Sequence, residues 1–165
     1  MLFRSAAFQY PVNGWSRTPR LVDGVQCFHG EQGLQDFLAA SRFLVCLLPL
    51  TPDTQGLLNR DTMSRLQPGG YLINVARGGH LVDQDLLDLL ESGQMAGATL
   101  DVFHTEPLPG DHPFWRHPKI TVTPHTSART LRDETIAQIA DKLQAVAAGA
   151  SIASLGGVVD RQRSY

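Results

Sequence analysis

Phe43-Leu-Val-Cys-Leu-Leu48, closed by Pro49, is a short unbroken apolar run. It is far shorter than the roughly 20 apolar residues that a membrane-spanning helix needs. Its length, and the proline that stops it, mark a strand buried on both faces, as in a parallel sheet. Working outward, a short helix is expected from about residue 59 to 66, stopped by Pro68-Gly69-Gly70. Tyr71-Leu-Ile-Asn-Val75 reads as the next strand. Asp83 is expected to cap a helix that carries Leu86, Leu87, Leu89 and Leu90 and ends at Gly93. Ala98-Thr-Leu-Asp-Val102 and Ile120-Thr-Val-Thr123 read as two further strands. A long helix is expected over residues 128–148, with Ile136, Ile139, Ala140, Leu143 and Val146 on one face and Gly149 at its end. Upstream lie a strand at 12–16, a short one near 25–28 and a helix near 31–40. Strand and helix alternating at this spacing means βαβ units: an α/β fold with a doubly wound parallel sheet. Such sheets bind ligands at the carboxyl ends of their strands.

The bulk composition narrows the function classes. The chain has 165 residues, 42% hydrophobic and 18% charged, which suits a folded domain and argues against disorder. A formal charge of -2 points to no nucleic-acid partner. No long apolar segment follows Met1, so neither a signal peptide nor a membrane anchor is expected. Of the two cysteines, Cys27 and Cys46, the second lies in the apolar run and is expected to be buried. Neither a disulfide nor a metal site is expected. The expected location is the cytoplasm.

Polar residues cluster where the sheet rule says to look. Arg77 comes two residues after Val75, Asp101 lies at the end of a strand, and His125 follows Pro124 two residues after another. Glu106 stands in the loop Glu106-Pro107-Leu108-Pro109. Taken singly, each reads equally well as a turn or solvated loop residue. Together they match what hydride transfer to a 2-oxo acid needs. A planar, always-charged guanidinium holds the substrate carboxylate and polarises the ketone. An imidazole gives a proton to the oxygen near neutral pH. A carboxylate beside it fixes the tautomer and favours the protonated ring, the part Glu106 would play. Asp101 is placed to accept a hydrogen bond from a nicotinamide amide.

Asn74-Val-Ala-Arg-Gly-Gly79, Leu100-Asp-Val-Phe-His-Thr-Glu-Pro107 and Thr123-Pro-His-Thr-Ser-Ala128 are similar, in order and spacing, to the three signature blocks of the D-2-hydroxyacid dehydrogenases. Leu47-Leu-Pro-Leu-Thr-Pro-Asp-Thr-Gln-Gly-Leu-Leu-Asn59 resembles that family's preceding block. The resemblance covers nearly the whole chain. It implies Arg77, Glu106 and His125 as the catalytic trio, with Leu48, Pro49, Val75, Asp101 and Ser127 lining the cofactor. Within the family, Trp15-Ser-Arg-Thr18, Pro113-Phe-Trp-Arg-His-Pro118 and Val159-Asp-Arg-Gln-Arg-Ser-Tyr165 look most like the glyoxylate/hydroxypyruvate reductases. An acidic residue after the second strand of this fold selects NAD through the ribose. Ser16, Arg17 and Thr18 stand there instead, with Arg17 suited to a 2′-phosphate, so NADP (as NADPH) is the expected cofactor and NAD the lesser alternative. The expected partner is a small 2-oxo acid. Dimers are usual for the family, which makes a homodimer the assembly to test.

The chain departs from the family in one respect: it contains no Gly-x-Gly, hence no Gly-x-Gly-x-x-Gly. In the family that loop follows the central first strand and seats the pyrophosphate on a helix N-terminus. Residues 1–10 resemble the tail of that helix. The expectation is therefore an incomplete Rossmann-like domain over residues 1–150, lacking the first strand and glycine-rich loop. Residues 151–165 would be a tail returning to a substrate domain outside the chain. A fragment, a truncated gene and the ordered part of a longer protein all fit this reading. On it the chain alone is expected to be inactive. Two other functions stay open from the sequence: a nucleotide-sensing interaction protein of corepressor type, and a non-functional remnant.

Overall fold

The computed structural model describes residues 9–127 and 131–158. The reading of residues 1–8 as a helix tail, the start of the long helix at 128–130 and the reductase-like ending from 159 onward lie outside the described residues. The elements run β1 (Asn13–Ser16), β2 (Gln26–His29), α1 (Gly30–Ala39), β3 (Phe43–Cys46), α2 (Arg60–Met63), β4 (Gly70–Asn74), α3 (Asp83–Glu91), β5 (Met95–Leu100), β6 (Ile120–Val122) and α4 (Arg132–Ala147). Every strand pairing among the described residues is parallel, but β3 is not buried on both faces as expected: Leu44 and Cys46 are buried, whereas Phe43 and Leu47 are exposed because β3 is the edge of its sheet. β3, β4, β5 and β6 form one sheet in that order, and β1 and β2 form another.

The four-stranded sheet carries the core. Leu44, Cys46, Leu72, Ala98 and Leu100 point inward from the strands and meet Leu86, Leu89 and Leu90 of α3 and Phe114. Burying such a side chain contributes about 1.5–3 kcal/mol each. Cys27 and Cys46 are both free thiols, and burial pushes the Cys46 thiol up. α2 is short because Asn59 and Thr62 close a capping box at its start and Pro68 follows. Asp83 differs from the sequence expectation. Val82 is the cap of α3, and Asp83 is its first helical residue. Its carboxylate is drawn instead to His104 and His112, 3.6 and 3.5 Å away.

Two departures concern the long helix and the sheet's continuity. Among the described residues the apolar face of α4 is not packed into the core: none of its residues is buried, and Ile136, Ile139, Leu143 and Val146 are exposed. The β1–β2 pair does not join β3. Between them lies a groove of about 1070 Å³, walled by Val12–Trp15 on one side and residues 43–48 on the other, with Leu34, Phe37 and Leu38 of α1 also lining it. That is the place where the sequence puts the missing strand. A link across it is Asn13 Nδ2, which donates to the Ala40 carbonyl at 3.3 Å. No helix among the described residues is long and apolar enough to cross a membrane.

Candidate active site

The site is built at the carboxyl ends of β3 to β6. β4 ends on Asn74, which is fully buried. Its Oδ1 accepts from the Ala76 N–H at 3.2 Å and its Nδ2 donates to the Arg77 carbonyl at 3.1 Å. One buried amide thus turns the chain out of the strand and presents Arg77. The Arg77 side chain is exposed and its Nη1 donates to the Ala76 carbonyl at 2.6 Å. Gly78 lets this turn press on the next loop: a Cβ there would lie 1.9 Å from the Phe103 carbonyl carbon. Only glycine permits that approach.

Asp101 follows β5 directly and is 1% exposed. Oδ1 accepts from the Thr123 hydroxyl and from the Thr126 N–H at 2.9 Å, and Oδ2 accepts from the Ser127 N–H at 3.0 Å. Burial raises its carboxyl, but the Thr123, Ser127 and Thr126 hydrogen bonds outweigh it and hold the group at about 2. The carboxylate is thereby an anchor for residues 123–127. It clamps a loop in which His125 takes a φ of 52°, a left-handed conformation uncommon outside glycine. Both Asp101 oxygens, which the sequence reading offered to a nicotinamide amide, are engaged by this loop.

His125 Nδ1 lies 2.7 Å from Glu106 Oε2. The other carboxylate oxygen accepts from the Phe103 N–H at 2.9 Å. The hydrogen bond from His125, then that from Phe103 and the nearby Arg77 charge, pull the Glu106 carboxyl below its ordinary value. An ionised carboxylate on Nδ1 leaves Nε2 as the ring atom for a ligand. Arg77, Glu106 and His125, from three separate loops, therefore share one electrostatic neighbourhood at the sheet edge.

The residues expected to line a cofactor divide in two. Leu48 and Pro49 follow β3, Val75 follows β4, and Ser127 sits on the Asp101 anchor; all share the edge with Arg77. Ser16, Arg17 and Thr18 close β1 on the far side of the groove. Ser16 Oγ donates to the Thr18 carbonyl at 2.8 Å, and Arg17 pairs with Asp53 at 2.9 Å. Sequence reasoning missed Asn74, Thr123 and the fully buried His80. A polar residue closing an apolar strand was a usable signal for Asn74. For His80, three residues after Arg77, only the fold reveals the contacts.

A parallel α/β sheet with an arginine and a histidine–carboxylate pair at its carboxyl edge is the architecture of a dinucleotide-binding domain of dehydrogenase type. Residues 1–127 match the family model for the NAD-binding domain of D-isomer specific 2-hydroxyacid dehydrogenases, and the chain belongs to that family. It is 53% identical over 159 residues to a glyoxylate/hydroxypyruvate reductase A of Serratia proteamaculans, covering 96% of this chain and 50% of the relative. Among solved structures it is similar to a D-isomer specific 2-hydroxyacid dehydrogenase from Xanthobacter autotrophicus Py2 in complex with NADPH. There the identity is 40% and the TM-score 0.91, over 99% of this chain and 66% of that one. An NADPH-dependent glyoxylate/hydroxypyruvate reductase from Sinorhizobium meliloti, in complex with NADP, gives 37% and 0.91 over 99% and 52%. The chain spans about half the length of the curated relatives it matches.

Proposed function

We propose that this chain is the cofactor-binding half of an NADPH-dependent reductase of glyoxylate or hydroxypyruvate. The observation that carries this reading is the 2.7 Å contact of His125 with Glu106 beside Arg77. Arg77 holds the carboxylate of the 2-oxo acid through its two-pronged guanidinium and polarises the ketone. His125 gives a proton from Nε2 to the ketone oxygen, and Glu106 keeps Nδ1 protonated. The dinucleotide, when bound, supplies hydride to the carbonyl carbon. The residues present fit part of that group: Leu48 and Val75 would give apolar contact at the sheet edge, Ser127 a hydroxyl, and Arg17, here paired with Asp53, a cation at the end of β1, while the glycine-rich seat for the pyrophosphate is absent from this sequence. Residues 1–150 form the partial nucleotide-binding domain on this reading, and 151–165 return to a substrate domain. A cytoplasmic homodimer is the working assembly, to be checked by sedimentation.

The test is a hybrid in which this chain replaces the matching half of the S. proteamaculans reductase. Oxidation of NADPH by the hybrid with glyoxylate or hydroxypyruvate is the expected result; an inactive, folded hybrid alongside an active parent contradicts the reading. The hybrid is expected to prefer NADPH over NADH, and Arg17→Ala to erase much of that preference, measured as the ratio of kcat/KM for the two cofactors. An unchanged ratio returns Arg17 to its surface pair with Asp53.

Asp101→Asn in the hybrid is expected to lower stability by roughly 1–3 kcal/mol, because an amide cannot accept from all three donors. The pH dependence has a definite sign. Asp101 is depressed from 3.8 to about 2. Its contribution is therefore present above about pH 4 and fades as pH falls toward 2. Thermal melts from pH 7 down to 3 are expected to show a shallower acid loss in Asp101→Asn than in the unsubstituted hybrid; parallel curves count against the anchor.

A further inference from the structure

His80 is fully buried, and both of its ring nitrogens face backbone carbonyls. Nδ1 lies 3.0 Å from the Arg77 oxygen and Nε2 lies 3.3 Å from the Pro49 oxygen. These carbonyls belong to the two sides of the site. One is the turn that presents the guanidinium; the other closes the strand end beside Leu48. In either neutral tautomer the ring donates to one of these carbonyls and packs its other nitrogen against the second, so it fills the space between the two segments.

The segments are also laced by backbone bonds. The Gly56 N–H donates to Gly79 at 2.9 Å, Leu58 to His80 at 2.8 Å and Val82 to Leu58 at 2.9 Å. Those bonds hold residues 56–58 against 79–82 whatever stands at position 80. The backbone N–H of residue 80 also donates to the Arg77 carbonyl at 3.3 Å; none of these backbone bonds reaches Pro49, and the imidazole does. The Pro49 oxygen also accepts from Thr54 Oγ1 at 2.7 Å, and the Arg77 oxygen from Asn74 Nδ2 at 3.1 Å. Each end of the ring therefore meets a carbonyl that is itself anchored, which makes the ring a link between two fixed points.

We propose that His80 is a positioning residue that ties the Arg77 turn to the Leu48–Pro49 segment, so that its two nitrogens separately set the oxo-acid and cofactor sides of the site. This rests on the reductase reading above. Asparagine at position 80 places an amide near the Nδ1 position and keeps the Arg77 side. Glutamine places one near the Nε2 position and keeps the Pro49 side. The experiment measures equilibrium binding to the hybrid, with NADPH followed by its fluorescence and the unreactive analogue oxamate by quenching of the NADPH complex. His80→Gln is expected to weaken oxamate about fivefold or more while leaving NADPH within about twofold, and His80→Asn to do the reverse, at the low end of the range for coupling between linked sites.

Equal weakening of both ligands in both variants, or no change in either, overturns the proposal in favour of a packing role. Because each variant keeps one of the two contacts and the backbone lacing, a melting temperature near that of the parent hybrid is expected. If His80→Asn fails to fold, the split between oxamate and NADPH in His80→Gln decides alone. Neither arm uses turnover. A hybrid that binds both ligands yet reduces neither glyoxylate nor hydroxypyruvate defeats the reductase reading and leaves the His80 proposal to be decided by binding. A hybrid that binds neither ligand overturns both.

Discussion

His125→Ala in the hybrid is expected to lose about two to four powers of ten in turnover, the usual range for removing a general acid. The loss should fall on kcat more than on NADPH binding, because on the proposed reading the ring donates to the reacting oxygen and is not one of the residues expected to line the nucleotide. The left-handed backbone at His125, with φ 52°, adds to the case. Strain of this kind persists where surrounding contacts over-determine it, and here Asp101 supplies them through Thr123, Thr126 and Ser127. A smaller loss than tenfold would mean that the proton comes from elsewhere. Arg77→Lys is a useful companion. It keeps the charge but loses the bidentate fork, so both oxo-acid KM and kcat are expected to suffer.

The second large effect concerns residues 1–165 expressed without further sequence. Aggregation or a broad, non-cooperative melt is expected. Among the described residues β1 and β3 present unpaired edges to the groove between them, and unpaired backbone groups and exposed strand edges favour association. Phe43 and Leu47 beside that groove are 62% and 56% exposed. The apolar face of α4 adds Ile136, Ile139 and Leu143 to the same surface burden. Large exposed apolar patches of this kind mark docking surfaces or aggregation sites. A soluble monomer with a sharp melt, or tight NADPH binding by these residues alone, contradicts the expectation.

The fold was legible because parallel strands leave a strong signature. The runs at 43–48 and 71–75 have no polar alternation, and the structure places both in one parallel sheet, trimmed to Phe43–Cys46 at its edge and Gly70–Asn74 inside it. The gap is legible too, from the lack of a Gly-x-Gly, and the structure shows a groove between β1 and β3. Arg77, Glu106 and His125 are legible as candidates because each follows a strand, and the structure brings His125 against Glu106 with Arg77 nearby. What the sequence did not carry was the supporting layer. Asp101 is legible as a polar strand end, but its part in holding residues 123–127 through three donors is not. Asp83 has the sequence position of a cap, but Val82 takes that place and two histidines from a distant loop claim the carboxylate. His80 and Gly78 matter through contacts with residues 31 and 25 positions away in sequence, at Pro49 and Phe103. No local pattern encodes such contacts.

The pairing of Glu106 with His125 is tested most directly by the pH–rate profile of the hybrid against its Glu106→Gln variant. The assay uses saturating 2-oxo acid and NADPH, with a deuterated cofactor to verify that hydride transfer limits the rate. Reduction consumes a proton from the ring, so the rate is expected to fall as pH rises and the ring loses that proton. Glutamine keeps the size of the side chain but removes the charge that favours the imidazolium. The fall is therefore expected to begin at lower pH in the variant, with oxo-acid KM little changed. Superimposable profiles would contradict the pairing, return Glu106 to an ordinary loop carboxylate and reduce the trio to Arg77 and His125.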